Sequence, residues 1–231
     1  MTKRFWEIDF LRGIAMIMMI TFHLVWDINH FNYAEIELFH GFWKMFQIAT
    51  ASLFFLLVGV SINFSSPAKT LKRGVQILLL GMAITIITMF IFPTNFVVFG
   101  ALHLIGFSVI VSFLFRDFRL FNLLLGAMII ISGVVIESYS IDFDGMFLII
   151  FHSANFYSID YFPVFPWFGV VLTGMFIGKI LYANGTRRFE LRELSHQLGI
   201  RSICFLGKKS LIIYLFHQVV LYGFFSAISR F

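Results

Sequence analysis

The apolar positions of this chain come in long blocks, and the polar ones fall between them. Seven blocks stand out, at about 9–31, 43–64, 74–92, 96–115, 119–136, 162–182 and 203–228. Each is close to the ~20 residues that a helix needs to cross a bilayer. The breaks carry helix-stopping chemistry. Asn63-Phe64-Ser65-Ser66-Pro67 ends the second block, Pro93 ends the third, and Pro163 and Pro166 open the sixth, as suits a residue with a fixed φ and no N–H to give. Two stretches depart from the pattern. Met146–Phe151 is apolar but too short to span, and reads as a re-entrant or surface element. Asn184–Arg201 is polar, and its Phe189-to-Ile200 part reads as a short amphipathic helix on the membrane surface. The pattern predicts an all-α fold: a polytopic integral membrane bundle of about seven transmembrane helices. It forms one domain over residues 1–231, with no linker, repeat or low-complexity tract.

The first block breaks its own rule. It carries Asp9, Arg12, His23 and Asp27, although a charge near the centre of a membrane helix costs at least ~2.5 kcal/mol on insertion scales. On a helix, Asp9 and Arg12 share a face, as do His23 and Asp27. Arg12 and His23 are eleven residues apart, and eleven steps of ~100° return to within ~20° of the start after a rise of roughly 16 Å. One helix face thus presents a carboxylate, a guanidinium, an imidazole and a second carboxylate through the depth of the bilayer. A carboxylate beside an imidazole orients it and supports its protonated form, the pairing found in general-base sites.

Loop charges orient the bundle. Lys3 and Arg4, then Lys69, Lys72 and Arg73, then Arg116 and Arg119, then Arg187, Arg188, Arg192, Arg201, Lys208 and Lys209 fall on one side. Asp27, Glu35, Glu37, Glu137, Asp142, Asp144 and Asp160 fall on the other, with Lys44 and Arg230 as its cations. The positive-inside rule then predicts a cytoplasmic N-terminus and an outer C-terminus. Asp9 and Arg12 would lie near the cytoplasmic face, His23 in the outer half and Asp27 at the outer boundary. Most cations are accounted for as topology signals, so the net charge of +5 calls for no nucleic-acid partner.

Composition agrees. Of 231 residues, 60% are hydrophobic and 13% charged, where a soluble domain has nearer a quarter charged. This is a multi-pass protein expected in the cell membrane. No cleavable signal peptide is expected, because the first apolar run is too long and lacks a small-residue cleavage site. The single cysteine, Cys204, excludes a disulfide framework and a cysteine-based zinc site, and reads as a small buried apolar side chain.

Other polar groups fall at membrane depth. His103, in the fourth block, and His217, in the seventh, are at depths similar to that of His23. Each reads either as an interhelical hydrogen-bonding contact or as part of a site. Three imidazoles are a conceivable zinc set, but their spacing forms no local metal motif, and no metal is expected. Gly59 and Ser61 read as small residues for close helix packing. The segment from Ser158 to Gly169 is either an interfacial aromatic belt or the lining of an outer mouth through Asp160 and Trp167. His40 is a candidate near the same mouth, whereas His30, His152 and His196 give no sharp signal.

At this point the ordered residues resemble a known group. Arg12-x(10)-His23 is similar to the signature of transmembrane acyltransferases. The wording Phe5-Trp6-Glu7-Ile8-Asp9-Phe10-Leu11-Arg12-Gly13-Ile14-Ala15, then Phe22-His23-x-x-x-Asp27, resembles the bacterial and archaeal branch of the heparan-alpha-glucosaminide N-acetyltransferase family. Later blocks agree: Phe54 to Ser61, His103-Leu104-Ile105-Gly106, Asp160-Tyr161-Phe162-Pro163 to Pro166-Trp167-Phe168-Gly169, and Gly207 to Gln218. The resemblance covers nearly the whole chain. It implies transfer of an acyl group, acetyl first among them, from cytoplasmic acyl-CoA to a hydroxyl or amine of a sugar-containing acceptor. It implies Arg12 on the donor side and His23 as base. The family's lysosomal member is longer, with more spans and a luminal region, so heparan specificity does not carry over. That member has an Asn at the position of His23 and its catalytic His in the first outer loop, where His30 and His40 are the nearest counterparts here.

The residues suit acyl transfer on their own terms. Coenzyme A is polyanionic, and Arg12, Arg73, Lys208 and Lys209, with Asp9 steadying Arg12, can pair its phosphates at a cytoplasmic mouth. A thioester needs a base near the acceptor, His23 with Asp27, and a donor to the developing oxyanion, for which His103 and Gln218 are candidates. His217 completes the catalytic set. His40, Asp160, Trp167 and Gln218 are candidates to touch the acceptor. Direct transfer and an acyl-histidine intermediate both remain open. A proton-coupled small-molecule transporter or flippase without chemistry is the alternative, against which stands the lack of an inverted repeat. A third reading is an accessory subunit that docks through the first helix. Expected partners are acyl-CoA, the acceptor and membrane lipids, and a homodimer is consistent with the broad apolar faces.

Overall fold

The computed structural model describes residues 4–183 and 186–229. Lys3, Asn184 and Arg230, used above, lie outside the described residues. The helices are α1 (Trp6–His30), α2 (Gly41–Ile62), α3 (Pro67–Ile91), α4 (Ala101–Phe115), α5 (Leu120–Ser138), α6 (Phe147–Ile150), α7 (Val164–Leu181), α8 (Leu198–Lys208) and α9 (Ser210–Ile228). A two-residue antiparallel hairpin, β1 (Tyr182–Ala183) with β2 (Thr186–Arg187), follows α7. Among the described residues, six helices are long and apolar enough to cross a membrane, and α4 is a shorter apolar helix. The chain is a multi-pass, all-α membrane protein.

The contacts divide the chain into two compact units. The larger one, residues 55–190, holds the second half of α2 and α3 to α7. Here α7 packs on α4 and α5, and α3 packs on α4. Close approach depends on missing side chains. A Cβ on Gly59 would strike the Val171 carbonyl, and one on Gly174 the Leu56 carbonyl. Phe55, Leu57, Leu104, Val171, Leu172 and Met175 are fully enclosed.

The smaller unit, residues 4–54 with 191–229, is built on α1, which packs against α8 and α9. Glycines again set the crossing. A Cβ on Gly13 would strike the Ile203 carbonyl, and one on Gly207 the Asp9 carbonyl. The buried Cys204 thiol donates to the Trp6 carbonyl at 3.4 Å. Cys204 is the small buried side chain that its apolar setting predicts. Outward, Leu79, Ile86 and Phe90 of α3, Leu124, Met128 and Ile131 of α5, and Phe216, Val219 and Phe224 of α9 stand exposed, which suits lipid rather than water.

The third helix starts at Pro67, seven residues before the span read from the sequence, and three further elements differ from that reading. The fourth span starts at Ala101, not near 96, because residues 95–99 are irregular chain held by a neighbouring segment: Ile159 N–H donates to the Asn95 carbonyl (3.1 Å) and Phe162 N–H to that of Phe99 (2.9 Å). Non-helical backbone near membrane depth must be enclosed by protein, and Val97 and Phe99 are 3% and 6% exposed. The seventh span is not one helix. It breaks at Lys209 (φ −101°, ψ 10°) into α8 and α9, where two adjacent lysines meet the close contact at Gly207. The surface helix expected over Phe189–Ile200 does not form as drawn. Phe189 packs on Tyr182 (5.7 Å), residues 190–194 are irregular, and the amphipathic helix is α8, nine residues further on. The short element at Met146–Phe151 appears as the single turn α6.

Candidate functional site

The polar face of α1 lies in the smaller unit. Asp9 is 3% exposed, and Arg12, half-buried one turn on, places Nη1 3.9 Å from Asp9 Oδ1. Because Gly207 sits on the Asp9 carbonyl, α8 delivers Lys208 and Lys209, both exposed, to this end of α1. Asp9, Arg12 and the two lysines are therefore brought together. Trp6 Nε1 and Asp9 Oδ2 are buried without a hydrogen-bond partner among the described residues, and of the two Trp6 was not read from the sequence. Trp6 gave no signal, because an aromatic near the start of a span reads as a membrane anchor.

Toward the other end of α1, His23 and Asp27 meet α9. His23 Nδ1 donates to the Met19 carbonyl, four residues back, at 2.9 Å. A carbonyl can only accept, so this bond puts the hydrogen on Nδ1 and leaves the lone pair on Nε2. His217 repeats the arrangement: its Nδ1 donates to the Tyr214 carbonyl at 2.6 Å. The two imidazoles meet edge to face, centroids 4.7 Å apart and planes at 82°. Asp27 is 0% exposed, and its Oδ1 accepts from Gln218 Nε2 at 3.0 Å. Asp27 Oδ2, Gln218 Oε1 and His217 Nε2 are buried with no partner among the described residues. In the neutral ring all three are hydrogen-bond acceptors. Buried polar atoms ordinarily find partners, and these three belong to residues at the α1–α9 contact. Spacing in the sequence paired His23 with Asp27, but the coupling to His217 and Gln218 needed the packing of α9 on α1.

The other expected site residues lie elsewhere. His40 is exposed on the loop after α1, and His30 is exposed at its end, stacked on Trp26 with centroids 4.7 Å apart. Arg73 is exposed on α3, in the larger unit. That unit also holds His103, 6% exposed, with both ring nitrogens engaged. Gly100 N–H donates to His103 Nδ1 at 3.2 Å, and Nε2 is 3.1 Å from Thr85 Oγ1. Asp160 Oδ2 accepts from Ala101 N–H at 3.0 Å. His103 and Asp160 together satisfy free N–H groups at the start of α4, and a carboxylate there is favoured by the helix dipole. A polar side chain three residues after a glycine at a helix start was the available signal, one half of a capping box. Trp167 packs on Phe55 (5.4 Å) and Phe162 (5.3 Å). Among the described residues no three His, Cys, Asp or Glu side chains gather as a metal-binding group.

Comparison with protein families finds one match that spans nearly all of this structure. The family described as heparan-alpha-glucosaminide N-acetyltransferase, catalytic, matches residues 4–219, from the first described residue to one position beyond Gln218. No curated protein and no solved structure matches. A multi-pass helical protein whose first span carries Asp9, Arg12, His23 and Asp27, and which this family covers over 4–219, belongs to the heparan-alpha-glucosaminide N-acetyltransferase catalytic family of membrane acetyltransferases.

Proposed function

We propose that the protein transfers an acetyl group from acetyl-CoA to the amine of a sugar-containing acceptor. The supporting observation is the cluster at the α1–α9 contact, where Asp27 Oδ2, Gln218 Oε1 and His217 Nε2 are all unpartnered acceptors beside His23. An ammonium group carries three N–H donors and a positive charge, and complements such a set better than a hydroxyl with one. The acceptor enters as an ammonium held by Asp27. His23 Nε2 takes one proton from it, the neutral amine attacks the thioester carbonyl, and the tetrahedral intermediate breaks its C–S bond; the leaving coenzyme A thiolate takes the second proton from nitrogen, and His23 returns the first to solvent. Gln218 is the positioning residue for Asp27. His217 fills the far side of His23 and offers a second basic nitrogen. Arg12, anchored by Asp9, serves the donor side with Lys208 and Lys209, in keeping with a cytoplasmic N-terminus. His103, with both nitrogens engaged, serves the α4 terminus in this reading.

The test uses purified protein in detergent or nanodiscs, with acetyl-CoA and an amino sugar, and follows release of free coenzyme A. Wild type should release it with acceptor present. His23→Ala should bind acetyl-CoA normally but lose 10²-fold or more in turnover, the usual share of a general base. Equal rates for both would remove His23 from the chemistry. No binding of coenzyme A and no release with any acyl donor would favour a transporter.

A further inference from the structure

Between the start of α3 and the end of α4, in the larger unit, lies a shallow recess open to the surface. The proposed reaction makes no use of it. Its wall is Leu71 on α3 with Val109, Ile110, Ser112 and Phe113 on α4, and Arg116 lies just past the end of α4. Just beyond the recess, α3 and α4 approach each other closely. A Cβ on Gly74 would already meet Ile110 Cγ1 at 2.9 Å, and one on Gly106 would meet the Leu78 backbone nitrogen at 2.6 Å, so these helices are already as close as they can come.

The recess has two chemical ends. Arg116 is half-buried, and its Nη2 donates to the Ser65 carbonyl. Among the described residues it has no ion-pair partner. A guanidinium has five N–H donors and a permanent charge, so one carbonyl leaves the charge and most of the donors unanswered. Phe113 and Leu71 are 62% and 47% exposed, in a surface otherwise made to face lipid. A fixed cation at the end of a membrane helix, above an apolar trough open to the bilayer, matches an amphiphile with an anionic head and a hydrocarbon tail.

We propose that this recess binds an anionic phospholipid, its phosphate on Arg116 and one acyl chain along Leu71, Ile110 and Phe113. The exposed Lys69, Lys72 and Arg73 of α3 add to the positive potential at that end of the bundle. The loop charges put this end in the cytoplasmic leaflet, where anionic lipids concentrate and basic pockets between membrane helices take their headgroups. The inference stands on the larger unit alone and does not depend on the acyl-transfer reading.

The test is native mass spectrometry of the full chain, released from detergent with equimolar phosphatidylglycerol and phosphatidylcholine of matched acyl chains. Wild type should retain one phosphatidylglycerol per chain over phosphatidylcholine by roughly fivefold, the factor expected of one cation at a charged membrane surface. Arg116→Gln should bring the ratio near one, and Arg116→Lys should keep most of it. Leu71→Trp, which fills the trough without touching the charge, should lower retention of both lipids. Excess inorganic phosphate should leave the wild-type adduct in place. The proposal fails if wild type shows no preference, if Arg116→Gln keeps it, or if phosphate alone displaces the lipid. Should Arg116→Gln not fold, Leu71→Trp decides: undiminished retention of phosphatidylglycerol overturns the site.

Discussion

The Gln218–Asp27 contact offers the sharpest test of the α1–α9 cluster. Gln218 Nε2 donates to Asp27 Oδ1 at 3.0 Å, Asp27 is fully enclosed, and its other oxygen has no partner among the described residues. Gln218→Met keeps the length and bulk of the side chain but removes the amide. A hydrogen bond to a charged group contributes about 1.5–3 kcal/mol. If Asp27 holds the acceptor for His23, that loss appears in kcat/KM as a fall of roughly 10- to 150-fold. The assay is coenzyme A release from acetyl-CoA with an amino sugar as acceptor, run for Gln218→Met, Asp27→Asn and the double variant. Because Gln218 is held to act through Asp27, removing it after Asp27→Asn should cost little more, giving a coupling energy above about 1 kcal/mol. Thermal unfolding of each variant separates loss of function from loss of fold. Single effects that simply multiply in the double variant would show that the two residues act independently, and would refute the positioning role.

Two further outcomes follow from other contacts. Gly207→Ala puts a methyl group onto the Asp9 carbonyl at the α1–α8 crossing. It should cost about 1–3 kcal/mol of stability, whereas Gly223→Ala, with nothing within 4 Å, should be neutral or slightly stabilising, both read as melting temperature in detergent. The Tyr161 hydroxyl donates to the Leu148 and Phe151 carbonyls, both at 2.8 Å, and burial pushes its pKa up to about 12. An unfolded tyrosine ionises near 10, so between those values the unfolded chain has released a proton that the folded chain keeps. Stability from this group is therefore complete below pH 10 and drains away as pH rises toward 12. Tyr161→Phe should flatten that alkaline decline, and an unchanged slope would remove Tyr161 as its source.

Much of this was legible before any coordinates. Membrane spans are long, uniform and set by bilayer thickness, so composition alone located them to within a few residues. The polar face of α1 was legible for the same reason: on a helix, spacing is geometry, and Asp9 with Arg12, or His23 with Asp27, could share a face without reference to another element. What the sequence could not supply was anything requiring two elements at once. His217 and Gln218 lie almost two hundred positions from His23 and Asp27, and only the packing of α9 on α1 makes them neighbours. The break at Lys209 that splits the last span and the meeting of Gly207 with the Asp9 backbone beside it are both invisible to hydropathy. His103 is a candidate through a depth like that of His23, and its contacts with Gly100 and Thr85 appear only when α3 and α4 pack. One-dimensional periodicity determines what a helix offers; which offers are answered, and which are left open for a ligand, is decided when the helices close on one another.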